Sequence, residues 1–192
     1  MSMKVLSVSI GQAQALQCSG REVMSAICKV PQFGPVPVST LGLQGDEQVD
    51  QSVHGGQAKA IYAYPVEHYE FWQTVRAQAK VSEWQQALPH GFVGENLSIT
   101  GLLEADAYIG DVLRFPDCEL VVSSPREPCF KFNARMGFNQ AVKMMMKSGW
   151  CGFYLSVRRG GSIEAGQNFE LIAGSREVHI AELFESLSKR KT

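Results

Sequence analysis

The sequence predicts a mainly β fold: a closed or nearly closed β-barrel with short helical insertions and one C-terminal helix. Three observations point to it. Segments with strand-like apolar patterning outnumber those with helical spacing. The helical segments fall between them irregularly, without the strand–helix–strand alternation of a doubly wound sheet. Eighteen glycines and eight prolines in 192 residues supply many turns. With 45% apolar residues, the length suits one globular domain.

Residues 3–10 alternate as a strand, and 21–30 form a second one after a polar turn. Segment 31–37, PQFGPVP, interrupts regular structure, because its three prolines lack donors and fix φ. GLQGDEQVDQSVHGG at 42–56 reads as an ordered loop, and KAIYAY at 59–64 as a strand. Pro65 suits the first turn of a helix. Val66, Tyr69, Trp72 and Val75 then put an apolar stripe on a helix over 66–78. A satellite helix is expected over 82–87. Strands follow at 95–100, 112–115 and 118–124, with Gly110-Asp111 turning into the second of them. Short helices are expected over 131–136 and 139–147, and strands over 150–158 and 169–173. A last helix over 176–188 would be capped by Ser175. The expected division is a barrel domain over 1–174 and a C-terminal helix within 175–192.

Composition excludes several classes of partner. The net charge is -1 with no clustered basic face, so no nucleic acid is expected. No apolar run is long enough to span a bilayer, so no membrane is expected either. The N-terminus MSMKVLSVSIG alternates like a strand and lacks the apolar block of a signal peptide. The five cysteines, Cys18, Cys28, Cys118, Cys129 and Cys151, are odd in number and have no Cys-x-x-Cys spacing. That argues against a structural zinc site and against a disulfide framework. The expected setting is reducing and cytoplasmic, with free thiols.

The most informative segment is SSPREPCFK at 123–131. A strand ends there, and Pro125 and Pro128 hold Cys129 in a stiff loop beside Arg126 and Lys131. Positive neighbours favour a thiolate, which is both nucleophile and metal ligand. Spacing alone fits a buried loop cysteine beside two surface cations equally well. His54, Gly55 and Gly56 with Lys59 form a second candidate, where glycines let backbone N–H groups approach an anion. A plain glycine turn entering a strand explains the same pattern. Glu95 and Asn96 stand at a strand entrance, and Arg158 and Arg159 at a strand end, where one arginine clamps a phosphate or both line a solvated hairpin tip.

The order of GLQGDEQVDQSVHGGQAKAIYAYPVEHYEFW, GFVGENLSITGL, IGDVLRF, SSPREPCFKFN and SGWCGFYLSVRRGGSIEAG resembles bacterial MOSC proteins of the YiiM type. The match runs from about residue 3 to residue 173. The resemblance implies a MOSC-type β-barrel binding a molybdenum cofactor of the molybdopterin type. In such proteins the cysteine of the Pro-Arg-x-Pro-Cys block, here Cys129, ligates molybdenum. The resemblance also implies reduction of N-hydroxylated substrates, such as hydroxylamino-purines and amidoximes, with electrons from a separate reductase. His54, Gly55, Gly56, Lys59, Glu95, Asn96, Arg126 and Arg158 are the candidate cofactor-binding residues. A non-catalytic carrier or store of the cofactor, and a thiol enzyme with Cys129 as nucleophile and His54 as base, are the alternatives. Two departures stand out. Trp150 and Ser156 occupy places where such proteins commonly carry arginines, and one C-terminal helix stands where a three-helix region is usual.

Overall fold

The computed structural model describes residues 2–49 and 55–189. The chain opens with β1 (Lys4–Ile10), whose Val5 and Val8 are fully buried. A hairpin of β2 (Gln14–Cys18) and β3 (Arg21–Ser25) follows, turned by Ser19 and Gly20, both at positive φ. Such a turn matches the twist of paired strands. Strand β2 escapes a patterning argument because most of its side chains are exposed. The short strands β4 (Val30–Pro31), β5 (Val36–Ser39) and β6 (Gly42–Leu43) come next. Pro31 ends an edge strand, where a missing donor costs no ladder bond.

Strand β7 (Ile61–Pro65) is buried at every residue. A short 3-10 turn leads into α1 (Tyr69–Gln78), which buries Tyr69, Trp72 and Val75 as the apolar stripe requires. Then come β8 (Leu97–Thr100), β9 (Val112–Arg114) and β10 (Glu119–Pro125). Two short helices follow, α2 (Phe130–Met136) and α3 (Ala141–Ser148). Each ends on a left-handed glycine, Gly137 and Gly149. The chain continues through β11 (Phe153–Arg159), β12 (Gly161–Ile163) and β13 (Glu170–Ile172) to α4 (Ile180–Lys189).

Eight strands form the main sheet in the order β13-β9-β10-β11-β7-β8-β1-β4. All its pairs are antiparallel except β7 with β8. The order has two ends, so strand pairing leaves the sheet open and does not reach the closed barrel that the sequence suggests. The nearest approach to closure is main-chain bonding between β1 and residues just before β13. Gly166 N–H donates to Val5 O at 2.8 Å, and Val5 N–H to Gln167 O at 2.9 Å. Only an isolated bridge, Lys4 with Asn168, forms there, because the turn at Gly166 leaves little extended chain to pair.

Two expected helices differ. Residues 82–87 form turns: Gln85 takes a positive φ that an α-helix excludes, and Trp84 faces solvent. The last helix begins at Ile180 rather than 176, and Ser175 does not cap it. The preceding residues are held against the sheet instead. Ile109 N–H donates to Val178 O, Ile180 N–H donates to Ala107 O, and Arg176 pairs with the buried Asp111 at 3.2 Å. His179 Nδ1 accepts the Glu182 N–H at the helix start.

The core gathers Trp72, Tyr64, Phe132, Phe153 and Phe184, all fully buried. Trp72 Nε1 donates to Tyr64 OH at 2.6 Å, and Tyr62 OH donates to Cys151 O at 2.7 Å. Gly152 lies in this contact with φ +65. A Cβ there would sit 2.5 Å from Ala63 O and 2.8 Å from a Tyr62 ring carbon. Gly152→Ala is therefore expected to destabilise the chain by about 3 kcal/mol through overpacking and left-handed strain. Urea denaturation checks this, and an unchanged midpoint and slope would show that the backbone relaxes there without cost.

Candidate functional site

The site is built where β10 stops. Pro125 pairs with Phe153 of β11, which itself pairs with Ala63 of β7, so the loop after β10 leaves from the middle of the sheet. Arg126 N–H donates to Gly152 O at 3.4 Å. Pro128 is buried, and Cys129, partly buried and extended, precedes the first turn of α2. Phe132 N–H donates to Cys129 O at 2.9 Å, which fixes the cysteine backbone.

Cys129, Arg126, Lys59, Lys29, Lys131 and Tyr154 line one cavity, together with Asn96, Asp46, Glu47 and Glu127. Arg126 is only 6% exposed. Its guanidinium centre lies 5.0 Å from the Tyr62 ring centroid and 4.6 Å from that of Phe132, and Nη1 is 3.6 Å from Met145 Sδ. No ion pair among the described residues includes it. Burial opposes its charge, yet the acidic groups of Tyr62, Tyr154 and Cys129 push its pKa upward. Lys59 Nζ stands 5.7 Å over the Tyr154 ring. Lys131 Nζ donates to Met24 O at 3.1 Å. Lys29 is buried in an ion pair with Asp46; burial pushes the lysine pKa down, and the carboxylate opposes that. Asp46 also accepts the Gly11 N–H at 2.7 Å, which ties the cavity wall to the end of β1.

The expected residues divide into groups. Cys129, Arg126, Lys59 and Asn96 come together in the cavity. Asn96 also stitches strands, accepting the Tyr62 N–H at 3.0 Å and donating to Ser9 O at 3.1 Å. Glu95 is fully buried but outside the cavity lining. Its Oε1 accepts from Gly91 N–H and Ser98 Oγ, both at 2.8 Å, and from Tyr69 OH, while Oε2 has no partner among the described residues. Gly55 and Gly56 lie before the 3-10 turn that carries Lys59 rather than on the cavity wall. Gly56 N–H donates to Gln48 Oε1 at 2.8 Å. His54 lies outside the described residues.

Arg158 is not brought to the cavity. Its side chain is 64% exposed, 3.8 Å from Glu119. Tyr154 reaches the cavity from β11, but Arg158 stands four residues on, about 13 Å further along an extended strand. Ser156 and Trp150 are also absent from the lining. Lys29 is the cation that sequence reasoning missed. Its signal in the sequence was a single lysine in a strand-like run, and only the fold sets it opposite Asp46.

Among the described residues no group of three His, Cys, Asp or Glu could hold a metal ion. The remaining cavity chemistry includes a buried guanidinium, which suits an anionic group.

A family model, that of the MOSC domain, matches residues 50–170. Protein YiiM of Escherichia coli is 35% identical over 158 residues, covering 82% of this chain and 68% of that one. A protein of Gibberella moniliformis named reductase is 35% identical over 154 residues, covering 80% of this chain but 26% of its own length. The crystal structure of YiiM from Geobacillus stearothermophilus superposes with a TM-score of 0.77 at 28% identity, covering 98% of this chain and 85% of that one.

The five thiols differ in their surroundings. Burial pushes Cys118 up to about 12, raises Cys151 well above the usual range and raises Cys18. Cys28 and Cys129 are partly exposed, and Arg135 Nη1 lies 3.8 Å from Cys28 Sγ. Only the thiolate reacts with alkylating reagents. Iodoacetamide at mildly alkaline pH is expected to label Cys28 and Cys129 in the native chain and to leave the other three until denaturant is added. Native labelling of Cys118 or Cys151, read by peptide mass spectrometry, would contradict the packing described.

Proposed function

Because the chain belongs to the MOSC domain family, we propose that it is a molybdenum-cofactor-binding oxidoreductase. It reduces N-hydroxylated compounds, such as hydroxylamino-purines and amidoximes, with electrons from a separate reductase. The observation that carries this reading is a partly buried cysteine and a buried arginine that has no carboxylate ion pair among the described residues, both lining one cavity. The residues fit the group. A thiolate cofactor ligand and an anionic pterin phosphate answer the charge that Arg126, Lys59 and Lys131 present. The reductase name of one relative supports redox chemistry without identifying a substrate.

When bound, the cofactor supplies the two-electron chemistry that removes oxygen from an N–OH group. The chain's own residues act around it. Cys129 is the metal ligand, held by the Pro-framed loop and its bond to Phe132 N–H. Arg126 sets positive charge beside that sulfur, and its stacking on Tyr62 and Phe132 keeps it from turning to solvent. Lys59 and Lys131, which line the cavity, would hold anionic oxygens of the group. Tyr154, packed under Lys59, closes one side against water.

Cys129→Ser is expected to abolish molybdenum retention in freshly purified protein while the fold survives, and Cys28→Ser to leave metal content unchanged. Elemental analysis with circular dichroism reads both, and equal molybdenum in the Cys129 variant would sink the ligand assignment. Lys59→Ala is expected to weaken cofactor binding by about 1.5–3 kcal/mol, the scale of a hydrogen bond to a charged group.

Electron supply gives a second test. The sequence has no Gly-x-Gly-x-x-Gly turn and no cysteine cluster for an iron–sulfur centre. Cofactor-loaded protein is expected to reduce a hydroxylamino-purine with reduced viologen under anaerobic conditions and to be inactive with NADH alone. Molybdenum-containing protein that fails with viologen would favour a cofactor carrier.

A further inference from the structure

Around Trp150 lies an aromatic cluster outside the cavity lining. Trp150 is 37% exposed. Its ring lies parallel to that of His68, with centroids 4.8 Å apart and 7° between the planes, and it meets Phe71 edge-on at 5.0 Å. The support is rigid. His68 is buried with Nε2 2.8 Å from Glu104 Oε2, and Glu104 Oε1 accepts the Gly152 N–H at 2.7 Å. A large aromatic surface is thus held in place in contact with water.

Glu67, Glu70, Phe71 and Thr74 line the open cleft beside it. Both glutamates are exposed, and no ion pair among the described residues includes either. Glu67 accepts from Thr100 Oγ1 and from Gly101 N–H, both at 2.7 Å, so Glu70 is the rim carboxylate that faces a ligand without such commitments. An indole face with a carboxylate at its rim attracts a cation and repels an anion. Arginine suits both parts, because its planar guanidinium stacks on aromatic rings while its N–H fork meets a carboxylate. The cleft is too open to enclose a small molecule, whose sites bury most of the ligand surface.

We propose that this cleft docks an arginine side chain of a partner protein, with the guanidinium on Trp150 and the fork toward Glu70. The proposal does not rest on the cofactor reading. The two sites are nonetheless linked through segment 150–152: Trp150 O accepts from Tyr64 OH at 3.2 Å, and Gly152 O accepts the Arg126 N–H.

The test follows the indole N–H signal of Trp150 by NMR in the full chain, identified by its loss in Trp150→Phe. The probe is a short amidated glycine–arginine peptide. Controls replace arginine by lysine or by citrulline, its neutral isostere. A saturable shift with the arginine peptide is expected, with half-saturation raised about fivefold in Glu70→Gln, the scale of one exposed cation–π or ion-pair contact. The lysine peptide is expected to bind more weakly and the citrulline peptide not at all. An equal shift with citrulline, no saturable shift, an unchanged response in Glu70→Gln, or binding of free guanidinium as tight as that of the peptide would each overturn the proposal.

Discussion

A positive charge buried at Arg126 is the constraint around which the cavity is organised. Removing a guanidinium from water costs several kcal/mol unless other groups replace its hydration. Tyr62 and Phe132 supply ring faces, Met145 supplies a sulfur, and the main chain of the same residue is fixed to Gly152 O. These partners come from β7, α2, α3 and the entrance to β11. The arginine can therefore be held only where all four elements meet. Cys129, three residues on, inherits its position from that meeting point.

Much of the fold is legible in the sequence because burial imposes periodicity. Strand β7 and the stripe on α1 announce themselves by apolar residues that the core requires. The hairpin strand β2 is invisible for the opposite reason: its side chains mostly meet water, so nothing constrains their pattern. The start of α4 differs from the sequence expectation because Arg176, next to the serine with cap chemistry, takes a left-handed φ that interrupts helical winding there. Arg176 and Val178 are bound to the sheet, and that tertiary demand overrides local preference.

The site follows the same logic. Cys129 and Arg126 lie three residues apart within a proline-framed loop, so the sequence singles out that loop. Lys29 pairs with Asp46 across the fold, and neither residue stands out in its own segment. Arg158 looks like an anion clamp from composition, but strand geometry carries it past the cavity to Glu119. Trp150 lines the cleft beside Glu67 and Glu70 and not the cavity.

An open sheet also has consequences for the chain in a crowded solution. Exposed strand edges invite pairing with another copy, which is how soluble β proteins begin to aggregate. One edge here is β4, only two residues long and ended by Pro31, which offers no N–H to an incoming strand. Apolar residues nevertheless stand exposed beside it, Val30 at 61% and Phe33 at 101%. The proline thus acts as a stop against fibre growth at the place where greasy side chains would otherwise favour it. Converting Pro31 to a β-branched residue would lengthen the usable edge and bring the chain closer to self-association without altering its interior.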